Sequence, residues 1–90
     1  MYFMTQEEMT QDNRTNLDKL NYFYENKLPV HILLTRINDH GKHIFLNGLI
    51  EQKLTDTLFL IDEVKLGMLR VSIFEIKDNG VSEYIIGGIK

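Results

Sequence analysis

The sequence predicts a mainly β domain with one N-terminal α-helix, its five antiparallel strands curled into a strongly bent barrel. Three observations carry that expectation. Apolar residues recur at spacings of three and four before Pro29, the period drops to two after it, and Gly48 interrupts the apolar stretch "FLNGLIE". A tightly curling sheet brings backbones together, and a glycine within a strand is the usual device for such a bend.

Residues 1–13 are polar after Met4 and read as a flexible arm, and residues 14–90 read as a single domain. The helix is expected over about 14–27. Leu17, Leu20, Tyr24 and Leu28 form its apolar stripe, which Phe23 widens. Asp12 or Asn13 serves as the cap, and Pro29 forces the stop because its predecessor avoids helical angles.

The five strands are expected within about 29–86. "VHILLTRI" comes first, entered through Pro29 at no cost in ladder hydrogen bonds, and "NDHGK" is a hairpin tip with Gly41 in the turn. "HIFLNGLIEQKL", "DTLFLID" and "MLRVSIFEI" continue the meander. Asn79-Gly80 in "KDNGV" reads as a two-residue hairpin turn, and "VSEYII" closes the set.

Ninety residues make one domain with a modest core, and without cysteines it has no disulfide staples. The last strand, with Val81, Tyr84, Ile85 and Ile86, carries little charge to blunt an exposed edge. Thirteen acidic against ten basic residues give a net charge of −3, and no run of lysine or arginine appears. Any affinity for nucleic acid must therefore come from local geometry rather than global steering. No apolar run approaches the roughly 20 residues that span a bilayer. The start "MYFMTQEEMT" lacks the basic end and long apolar stretch of a signal peptide. A cytoplasmic protein without a membrane partner is expected.

Catalytic signatures are missing from the sequence. Ser72 and Ser82 lack a nucleophile-elbow context, and no glycine-rich phosphate loop precedes a helix. Asp39, His40 and His43 share a hairpin tip and read as a polar turn rather than a metal site; His31 alternates with Val30 and Ile32 and shows no obvious partner. No enzyme activity, metal or cofactor is expected.

From about Leu17 to Ile76 the chain resembles the Sm-like family, and within it the bacterial RNA chaperone Hfq. The likeness rests on the helix, the "LPVHILL" entry, "NGLIEQ" and "TLFLID" around Gly48, and "GMLRVSIFEI". The resemblance implies an Sm-like fold and a closed homo-oligomeric ring in which the fourth strand of one subunit pairs with the fifth of the next. It also implies a single-stranded RNA partner, with Asn16, Lys53, Asp56, Thr57 and Arg70 at the family's RNA-contacting positions or beside them. The chain departs from the family at several places. Val71 stands where a histidine is expected, Thr57 where a base-stacking aromatic sits, and Leu33 where another aromatic stacks purines on the opposite ring face. The arginine rim is reduced to "YENK", Tyr24 to Lys27, and the hairpin "TRINDHGKH" is longer than the family's tight turn. Two functions stay open: a ring that binds single-stranded RNA, and a ring or small barrel serving as a protein-interaction scaffold with no RNA role.

Overall fold

Thr10 opens the helix. In the computed structural model, which describes residues 9–85, helix α1 runs Gln11–Glu25. Thr10 Oγ1 accepts the N–H of Asn13, and Asn13 Oδ1 accepts the N–H of Thr10, both at 3.1 Å. This reciprocal box fills two of the helix's orphan donors. It moves the start three residues ahead of the expected position and places Asn13 inside the first turn. The helix also ends before residue 27. Lys27 adopts a left-handed φ of 55°. The N–H of Leu28 then donates to Phe23 O at 3.0 Å, and that of Lys27 to Tyr24 O at 3.2 Å, a Schellman closure that acts before Pro29 is reached.

Five strands follow: β1 (Val30–Ile37), β2 (His43–Lys53), β3 (Leu58–Glu63), β4 (Gly67–Ser72) and β5 (Ile76–Glu83). All pairs are antiparallel, in the order β4-β3-β2-β1-β5. The first four strands form the expected meander, and the fifth departs from it. The strand expected through Ile76 breaks at Ser72, whose Oγ accepts the N–H of Phe74 at 3.2 Å and opens a 3-10 turn, Ile73–Glu75. The chain turns there and not at Asn79-Gly80.

Asn79-Gly80 lies inside β5. Pairing with β1 jumps from Leu34↔Ile76 to Ile32↔Val81, so residues 77–80 bulge opposite Leu33. Asn79 supplies a φ of 57°, the same tolerance of left-handed backbone that a hairpin would use. A side chain on Gly80 would begin 2.8 Å from Leu33 O. Of the final strand "VSEYII", Val81 to Glu83 belong to β5, and Ile86 lies outside the described residues.

The strand order also dictates curvature. β4 and β5 are opposite edges, about 19 Å apart in a flat sheet at the usual strand spacing. Yet Ser72 and Ile76 are joined by a turn of three residues, and four residue steps reach at most about 14 Å. The sheet must curl. It does not close into a barrel: β5 pairs with β1, and no ladder joins it to β4 among the described residues. On the concave side Leu20 and Phe23 of α1 pack over a core that includes Val30, Ile32, Phe59, Ile61 and Val81. Among the described residues no helix is long and apolar enough to cross a membrane.

Gly48 sits where β2 and β3 approach most closely. A methyl group there would collide with the carbonyl oxygen of Asp62 and lie 2.9 Å from Glu63 Cα. The obstacle is backbone, which cannot swing aside as a side chain would. Gly48→Ala is expected to lower the unfolding free energy by about 1–3 kcal/mol, and Gly48→Val by more. Denaturant titration measures it; an unchanged midpoint for both variants would mean that β3 retreats without cost and that the curl is not enforced at Gly48.

Candidate nucleic-acid interface

Four of the five sequence-assigned residues gather at one end of the sheet. Lys53 ends β2, Asp56 and Thr57 form the β2–β3 connection, and Arg70 lies near the end of β4. Leu54 and Thr55 both donate their N–H to Leu58 O, at 2.8 and 3.1 Å, and the N–H of Ile73 donates to Thr57 O at 2.9 Å. These bonds stitch the turn to the 3-10 segment. The two cations nevertheless face apart. Lys53 pairs with Phe59, and Phe59 with Val71, on the core side, and its Nζ lies 5.9 Å from the Phe59 ring centre. Arg70 pairs with Leu60, which pairs with Gln52, on the outer side, and is exposed.

Asn16 is elsewhere and is 0% exposed. Its Nδ2 donates to Lys77 O at 3.1 Å, and its Oδ1 has no partner among the described residues. The amide ties α1 to the β5 bulge, so it does not present a base-reading edge on the surface.

The outer face holds a group that linear matching misses. Leu33 pairs directly with Phe45, so an aromatic stands beside it one strand over, on β2. Phe45 is 54% exposed, and its ring lies 5.5 Å from that of His31. His31 Nδ1 is hydrogen-bonded to Asn47 Oδ1, which fixes both side chains. Phe45 and Asn47 also wall a cleft of about 450 Å3 that reaches Lys65, Leu66 and Tyr84. The alternation of Phe45, Asn47 and Leu49 was readable as one strand face; the cross-strand neighbour was not. The other histidine of the first hairpin arm, His43, donates its Nδ1–H to Leu34 O at 2.8 Å.

Glu63 supports this cleft from below. Its carboxylate is 6% exposed. One oxygen accepts the N–H of Asn47 at 3.1 Å, and the other accepts those of Lys65 and Leu66 at 2.8 Å. Burial works to raise its pKa, but the three N–H groups and the Lys65 charge outweigh burial and hold the carboxyl below its ordinary value of 4.5. The charged form thus pins the β3–β4 turn to β2.

Comparison with known proteins finds no matching family model, no matching curated protein and no matching solved structure. The reading of this face therefore rests on its chemistry.

A lowered folded pKa fixes the direction of the acid response. The stability Glu63 contributes is complete above the unfolded value of about 4.5 and is lost as pH falls through the folded value. The wild-type denaturant midpoint is expected to drop on acidification to about pH 3, and Glu63→Gln should be less stable at neutral pH with a flatter profile. An acid response in Glu63→Gln as steep as in the wild type would assign it to other carboxylates.

Proposed function

We propose that the chain is a subunit of an Sm-like, Hfq-like homo-oligomeric ring that binds single-stranded RNA. The observation that carries the RNA part is that Phe45, His31 and Asn47 stand together on the outer face of the sheet, with Arg70 farther along the same face. An exposed aromatic gives a base a stacking surface, an amide reads its edge, and a guanidinium meets phosphate. Ring assembly draws support from the two sheet edges, β4 and β5, each unpaired on its outer side among the described residues. Such edges invite strand addition, and a head-to-tail contact between unlike edges closes into a ring when its rotation allows. Repetition of the site around a ring raises the affinity for one strand through effective concentration.

The scaffold reading has an observation of its own. Leu49, Val64, Leu66 and Met68 are exposed close to one another, around the β3–β4 turn and the strands beside it, and clustered apolar surface marks protein-interaction sites.

Two measurements separate these readings. Sedimentation should give a mass several times the 10.6 kDa of one chain; a clean monomer at micromolar concentration removes the ring. Titration of labelled single-stranded RNA should then show binding that weakens steeply with salt. Arg70→Ala should flatten the log–log slope by about 0.7 for each phosphate contact removed. Phe45→Ala should cost about 1–3 kcal/mol per stacked base with the slope retained. An intact oligomer that fails to bind RNA even at low salt leaves the scaffold reading.

A further inference from the structure

The mouth of the curled sheet holds a site of different chemistry. Leu34, Ile44, Leu46, Leu66, Leu69 and Val71 line a cleft of about 320 Å3 between β4 and the protruding end of the β1–β2 hairpin. Arg36, Arg70 and Glu75 border it. This volume lies within the usual range of small-molecule sites. The cleft exists because the sheet curls without closing.

Arg36 follows Ile32 and Leu34 along the core side of β1, which carries it over the opening. Its Nη2 stands 3.8 Å from Glu75 Oε1. That is an ion-pair distance, longer than a hydrogen bond, so Glu75 holds the guanidinium near the mouth without filling its fork. Arg70 also borders the cleft but belongs to the outer side of β4, so Arg36 is the guanidinium that faces the core-side opening.

We propose that this cleft binds a small amphipathic carboxylate, with its aliphatic tail among the six apolar side chains and its head on Arg36. The lining decides the ligand class. It contains no aromatic ring, so it offers a nucleobase nothing to stack on, whereas an aliphatic chain loses water against the six apolar side chains. At the rim, the planar fork of a guanidinium matches a carboxylate through two parallel hydrogen bonds. The site lies on the core side of the sheet and depends on neither ring assembly nor RNA.

Calorimetric titration of the full chain with octanoate, octanol and acetate tests this. Octanoate should bind saturably, octanol more weakly, and acetate not measurably. Arg36→Ala removes an exposed side chain, so the fold should survive. It should weaken octanoate about tenfold or more, the usual effect of losing a charged hydrogen-bond partner, and leave octanol unchanged. Glu75→Gln should tighten octanoate by removing a competing carboxylate. Methyl resonances of Leu34, Leu46 and Leu69 should shift with octanoate. Equal affinity for octanoate and octanol, indifference to Arg36→Ala, shifts confined to other residues, or no saturable binding would each overturn the assignment.

Discussion

The passage from Ser72 to Ile76 is the constraint on which the rest of the molecule depends. It joins the two outermost strands of a five-stranded sheet through a three-residue turn, and no flat sheet can satisfy it. Curvature is thus imposed by connectivity, and the sequence must supply places where strands can bend. Gly48 is one, where β3 backbone occupies the space a side chain would need. The bulge at residues 77–80 is another, where β5 gains residues against β1 and Gly80 passes close to Leu33 O. One lies in the β2–β3 pairing at the centre of the sheet and the other in the edge pairing of β1 with β5, and both are backbone devices, which composition does not reveal.

Curvature makes the two faces chemically unlike. On the concave side the strand residues converge, α1 closes over them, and the gap left between β4 and the hairpin arm is lined by aliphatic groups. On the convex side they diverge, and Phe45, paired with Leu33 on one side and beyond the last β2–β3 pair on the other, remains more than half exposed. The His31–Asn47 hydrogen bond works within that divergence. It holds an imidazole beside the Phe45 ring and leaves both polar groups at the surface. Glu63 adds rigidity from the other direction, because its three accepted N–H groups come from β2 and from the turn after β3.

Much of the architecture was legible in the sequence because its signals are local. The stripe through Leu20 and Phe23 gives the helix, alternation gives the first three strands close to their observed limits, and Gly48 marks the bend. The errors share one cause. Asn79-Gly80 favours left-handed backbone, and that preference serves a bulge as well as a hairpin; which one forms depends on whether β5 pairs with β4 or with β1, a long-range choice. Asn16 fails for a similar reason. A polar residue on a helix reads as solvent-facing until the bulged strand it braces is known. Phe45 escapes a reading along one strand because its place beside Leu33 is set by cross-strand register, which local sequence does not reveal.

The acidic balance of the chain bears less on anion binding than the count of charges suggests. At physiological ionic strength, exposed charges farther apart than about 8 Å are largely screened from one another, so a ligand meets the few groups beside it rather than the net −3. Arg70 stands on an edge strand whose six residues include no acid, and Arg36 projects from an exposed arm with Glu75 as its ion-pair partner. A chain with no basic run can therefore present isolated cations at two places, each beside a surface of different chemistry. What such sites lack is long-range steering. Association would be slow to gain from salt removal unless copies of the site act together, which is the physical reason a ring would matter to RNA binding and would matter little to the mouth of the sheet.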